Sequence, residues 1–257
     1  MFIKQLKYDL LFGRDTFLGM GALLIGASFI MAMVVSAQER GGFLGSEWIL
    51  IVVGLVFAIV VSAVAVATIS SLYSLFARSF FGKSGYLMLT LPVSRITQLI
   101  SKLTAAIIWS NYMAVVAFIM GLVFAAILVT GTNSWHMAYE YGEFITWGVT
   151  ARDVMYFLGS YLVLNMFALL VISAMYFGIT LSNSTIGRWR VHRFVAGVAT
   201  LLYLSFAMWT VMRVVRFFST SLSFSLSVSA ISITLLAFVV ATVAATYHLI
   251  NKRVDLQ

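Results

Sequence analysis

Cysteine is absent from these 257 residues, proline occurs once, and only eight residues are acidic. Without cysteine there is no disulfide, no thiolate metal site and no lipidation on a thiol. With 9% charged residues against 62% hydrophobic ones, the chain has too little polar surface to cover a soluble globule. The three histidines, His136, His192 and His248, are dispersed, no HExxH or GxSxG occurs, and no acid lies near the middle of an apolar run. A membrane-embedded protease or a pump driven by carboxylate protonation therefore has no visible machinery, and neither a catalytic site nor a metal or cofactor of the chain's own is expected.

What is present is long apolar runs. A spanning helix needs roughly 20 mostly apolar residues, and six stretches qualify: 17–37, 48–75, 104–129, 154–181, 194–212 and 222–250. They are apolar on every side, unlike the alternating strands of a membrane barrel. The expected fold is an all-α integral membrane protein with six transmembrane helices in a single domain, 1–257, since no linker or repeat divides the chain. One segment departs from this pattern. From Ser219 to Ser229 serine alternates with apolar residues at a period of two, and it reads as a re-entrant or interfacial lead into the last span.

Lysine and arginine concentrate in cytoplasmic loops. With the N-terminus inside, the inner segments carry Lys4, Lys7, Arg14, Arg78, Lys83, Arg95, Lys102, Arg188, Arg190, Arg193, Lys252 and Arg253. The outer ones keep only Arg40, Arg152, Arg213 and Arg216 of the sixteen, together with Glu39, Glu47, Glu140, Glu143 and Asp153. Both termini are thus expected in the cytoplasm. The net charge of +8 reads as topology and attraction to anionic membrane lipid, with no nucleic-acid partner implied. Val35-Ser36-Ala37 has the small residues of a signal-peptidase site, yet the run before it exceeds the about 7–15 residues of a signal core, so the first span is expected to be retained. Ahead of it, Phe2, Ile3, Leu6 and Leu10 share a face that Lys4, Lys7 and Tyr8 avoid, which predicts an amphipathic interfacial helix over 1–13.

The segment 76–103, FARSFFGKSGYLMLTLPVSRITQLISKL, holds four basic residues, no acid and the single proline. Pro92 donates no backbone hydrogen bond and pushes Leu91 out of the helical region, so a structured cytoplasmic loop with a break is expected. Within it, Gly82-Lys83-Ser84 ends a near match to the phosphate loop GxxxxGK[ST]. It follows a transmembrane helix rather than a strand, so nucleotide binding there is set aside. The sequon Asn183-Ser184-Thr185 faces the cytoplasm in this topology, where it would not be glycosylated. The longest outer loop, 130–152, carries Trp135, Tyr139, Tyr141, Phe144 and Trp147, as an interfacial aromatic belt does. Polar residues within reach of the spans are Asn111, Asn165, Arg213 and Arg216. Interhelical hydrogen bonds and snorkelling account for them, and lining a substrate path is the sharper reading.

Gly85-Tyr86, Thr90-Leu91-Pro92-Val93-Ser94 and Ser101-Lys102, set between spans two and three of a six-span chain with an N-terminal interfacial helix, resemble the permease subunits of bacterial type-2 ATP-binding-cassette (ABC) exporters. The topology likeness covers the whole chain, and the motif covers 85–102. The resemblance implies a cytoplasmic coupling helix between spans two and three that docks into a separate ABC ATPase subunit, with contacts at Phe81, Gly82, Tyr86, Leu91, Pro92, Ser94 and Arg95. It also implies Mg-ATP on that partner only, a second permease copy or close paralogue, and residence in the bacterial cytoplasmic membrane. The segment 213–221 departs from larger relatives, which carry a folded outer region before the last span.

Spans rich in phenylalanine and methionine suit an amphipathic or hydrophobic cargo. Small permeases that this chain resembles serve exporters of antimicrobial and amphipathic toxin peptides, so the resemblance implies a membrane-active peptide first, with a lipid or drug next. Two other classes stay open: an ion-driven secondary transporter, which needs charged or broken-helix sites near the midplane, and a non-transporting membrane scaffold or sensor.

Overall fold

The computed structural model describes residues 2–39, 47–81, 94–131, 151–184, 191–219 and 224–254, and these form six helices: α1 (Phe2–Glu39), α2 (Glu47–Phe81), α3 (Arg95–Gly131), α4 (Ala151–Ser184), α5 (Val191–Ser219) and α6 (Phe224–Val254). Each contains a stretch long and apolar enough to cross a membrane, so the chain is an all-α, multi-pass membrane protein. The helices overshoot the hydrocarbon. The 38 residues of α1 extend about 57 Å at about 1.5 Å per residue, against a core about 30 Å thick. Their ends are therefore built to project past the lipid tails.

Three expectations change in the structure. Residues 1–13 are not a separate interfacial helix, because from Phe2 onward they run unbroken into the first span. Phe2, Leu6 and Leu10 of the expected apolar face are half-buried and Lys4, Lys7 and Tyr8 are exposed, but Ile3 is 79% exposed, and the buried residue of these turns is Asp9. Both ends of the segment 76–103 are helix rather than loop, since 76–81 complete α2 and Arg95 onward is α3. The expected coupling helix falls in 82–93, outside the described residues. In the serine-alternating segment, Ser219 closes α5 and everything from Phe224 is helix. Without a strand to pair with, a lone segment at the membrane satisfies its backbone only as helix.

Hydroxyls within the spans are turned onto their own helices. Ser62 donates to the carbonyl of Ala58 at 2.7 Å, Thr68 to Val64 at 2.8 Å, Thr234 to Ala230 at 2.8 Å and Thr246 to Thr242 at 2.7 Å. Lipid offers no alternative partner, so the carbonyl one turn back takes the proton.

The chain divides into two compact units. The larger contains residues 1–10, 72–108 and 151–257. Within it α4, α5 and α6 pack on one another in all three pairings, α4 against α6 most extensively. Leu170, Ala207, Leu235 and Val239 form the buried centre, surrounded by Met166, Tyr203, Leu204 and Phe238. Polar contacts also cross between these helices: the Tyr203 hydroxyl donates to the carbonyl of Phe238 at 2.8 Å, and Thr242 donates to the Ser173 hydroxyl at 2.9 Å.

The second unit contains residues 11–71 and 109–150. Here Phe17 of α1 stacks on Trp109 of α3 with ring centroids 4.6 Å apart and planes 10° from parallel. Glycine makes that approach possible. A Cβ on Gly13 would lie 2.9 Å from the indole nitrogen of Trp109, and one on Gly21 would lie 2.5 Å from the Tyr112 hydroxyl. The most apolar window of α2 is only 6% buried, so most of this helix faces outward to lipid.

Candidate functional site

The described ends of α2 and α3, which flank 82–93, lie in the larger unit. Ser94 begins α3 as an N-cap: its carbonyl accepts the Gln98 amide at 3.2 Å, and its hydroxyl lies 3.4 Å from the Thr97 amide and 2.6 Å from the Thr97 hydroxyl. One residue on, the Arg95 guanidinium donates to Oδ1 of Asn251 at 2.8 Å, tying the start of α3 to the end of α6.

One face of the next turns of α3 is buried, while Ile96 and Ile100 on the other are exposed. Gln98, Leu99, Ser101, Ala105 and Ala106 are 0–1% exposed. Lys102 is also buried, and its ammonium meets the Asp9 carboxylate of α1 at 2.6 Å. The second carboxylate oxygen of Asp9 accepts the Ser101 hydroxyl at 2.8 Å. A carboxylate with both oxygens engaged by charged and hydroxyl donors on adjacent residues is a strong, directional contact. The desolvation of both charges makes it intolerant of losing either partner.

Aromatic packing holds the end of α2 against the same place. Phe76, 0% exposed, stacks on Tyr176 of α4 at 4.1 Å with planes 13° apart, and Phe80 and Phe81 pack around Phe76 at 4.8 and 6.2 Å. The Tyr176 hydroxyl points at the carbonyl of Lys102 from 3.5 Å, long for an O–H donor, so the stacking rather than this contact positions the ring.

Of the residues expected to contact an ATPase, Phe81, Ser94 and Arg95 are described, and all three stand at this anchored base. Gly82, Tyr86, Leu91 and Pro92 lie outside the described residues. The expected substrate-path residues fall in both units. Asn111 is a half-buried residue of α3 in the smaller unit, while the other three belong to the larger one. Asn165 donates to its own helix at the Tyr161 carbonyl, 3.0 Å away. Arg213 lies over the ring of Trp209, 5.0 Å from its centroid, and Arg216 is exposed. Asn183 of the formal sequon donates within α4 to Ile179 at 2.8 Å. Among the described residues no group of three or more histidines or acids is placed to hold a metal ion.

Sequence reasoning missed Asp9 and misassigned Lys102 as a loop cation. Both charges are embedded in apolar runs, YDLLF and ISKLTAAIIW, and a lone charge in such surroundings is the signal that would have flagged a buried pair. No protein-family model, curated protein or solved structure matches the chain.

Proposed function

We propose that this chain is the transmembrane subunit of an ABC-type exporter of the bacterial cytoplasmic membrane, with its termini inside. In this reading a separate ATPase binds the 82–94 connection and supplies the energy from Mg-ATP, and a second permease copy or close paralogue completes the path. The observation that supports it is the anchoring of both ends of that connection. Phe76–Tyr176 holds the α2 side, while Asp9–Lys102 and Arg95–Asn251 hold the α3 side. A displacement applied at a connection so held is transmitted to α1, α4 and α6 rather than absorbed locally. The phenylalanine- and methionine-rich spans favour an amphipathic cargo, a membrane-active peptide first and a lipid or drug next.

Affinity purification from the native host in mild detergent tests the assignment directly. The expected result is a stoichiometric ATPase that hydrolyses ATP. The double variant Leu91→Ala/Arg95→Ala is expected to insert normally and keep its ATPase partner's turnover while losing transport. Unchanged transport in this variant removes the proposal. Asn251→Ala separates the two roles open to Arg95, because it breaks the bond to α6 and leaves the guanidinium in place.

The buried Asp9–Lys102 pair favours one second reading, an ion-driven secondary transporter, since an ionic pair within helices is costly and often functional. Transport driven by an ion gradient in proteoliposomes holding this chain without an ATPase would establish it instead.

A further inference from the structure

In the larger unit, a half-open groove of about 510 Å³ runs beside α4 and α5, lined by Met175, Gly178 and Ile179 at one end and by Ser182 and Asn183 at the other, with Gly197, Leu201 and Tyr73 along its side. Its volume lies in the range of about 300–1,000 Å³ typical of small-molecule sites. We propose that this groove is a binding site for one membrane phospholipid, with an acyl chain along Met175, Ile179 and Leu201 and the ester and glycerol oxygens at Ser182, Asn183 and Tyr73.

Depth and polarity give the occupant. In the sequence the apolar run of α4 gives way to Ser182-Asn183-Ser184 and that of α5 starts just after Arg188, Arg190 and Arg193, so the groove sits where these spans leave the hydrocarbon. Along α4 its lining passes from a thioether and a branched alkyl chain to a hydroxyl and an amide, the order in which a phospholipid passes from chain to ester. Asn183 gives one of its two amide hydrogens to the Ile179 carbonyl, and the second is the one that can donate to an ester oxygen. The described side chains that line the groove are uncharged.

Two glycines shape the site in different ways. A Cβ on Gly178 would run into the Thr200 hydroxyl, so this glycine sets the close approach of α4 and α5 that forms the floor. A Cβ on Gly197 would meet nothing within 4 Å, so its missing side chain is open groove rather than packing space. This makes Gly197 the position to fill. Gly197→Leu adds a better helix former to α5 and displaces only the occupant. The inference goes beyond the exporter reading and needs only that the chain sits in a bilayer.

The test is native mass spectrometry of the chain reconstituted into vesicles of deuterated phosphatidylcholine and released in mild detergent. The wild-type chain is expected to retain one deuterated lipid, Gly197→Ala to retain it, and Gly197→Leu to lose it, with the affinity falling about tenfold or more and the elution profile and thermal midpoint unchanged. A wild-type chain that emerges bare, equal lipid retention in Gly197→Leu, or a retained mass without deuterium, which would mark a cargo or other host molecule, each overturns the proposal.

Discussion

The larger unit holds itself together in two ways that differ in kind. Around Leu170, Ala207, Leu235 and Val239 the three helices α4–α6 meet through apolar surfaces joined by cross-helix hydroxyl bonds. Where α1 and the start of α3 meet, a single carboxylate engages Lys102 and Ser101, and aromatic stacking of Phe76 on Tyr176 secures the neighbouring end of α2. In a bilayer the lipid tails are as apolar as leucine, so burial alone gives the first region little preference for one partner over another, and close packing must supply it. The second region specifies its partners by charge and geometry, and it fails if one member is removed.

The largest expected effect comes from opening the ion pair. Lys102→Met leaves Asp9 buried and unpaired and should cost about 3–5 kcal/mol, read as a shifted midpoint in denaturing-detergent titration. Asp9→Leu/Lys102→Met should regain most of that loss. Equal loss in the single and double variants would show that the charges matter less than the shapes around them. Leu235→Ala, in the apolar centre, should cost about 2 kcal/mol or more through the cavity it leaves, and a second substitution elsewhere should not rescue it. The smallest effect belongs to Thr242→Val, which removes the hydroxyl bond to Ser173. Cross-helix bonds of this kind contribute about 0.6 kcal/mol in a membrane, so a large drop in its thermal midpoint would make that contact a second polar anchor and erase the contrast.

The helices themselves were legible because every one carries an uninterrupted apolar run, and that requirement of the bilayer does not depend on neighbours. The faces were not. In a soluble helix, polar residues mark the outside, but α2 and α5 are nearly as apolar where they meet lipid as where they meet protein, so hydropathy has no stripe to reveal. The first turns of α1 show the same limit: spacing groups Phe2, Ile3, Leu6 and Leu10 on one face but gives no sign that Asp9 is the buried residue there. The proline-containing connection drew attention through its composition, but the anchors on either side of it come from α1, α4 and α6.

By itself, then, the sequence determined the number of membrane-crossing helices, their approximate limits and the scarcity of chemistry within them, because each follows from local composition and the need of every backbone amide for a partner in lipid. Only the tertiary structure decided that Asp9 meets Lys102 across 93 positions, that Phe76 finds Tyr176, and that Gly197 opens onto a groove while Gly178 closes a helix contact. Two charges or two rings far apart in the chain carry no mark of each other until packing brings them together.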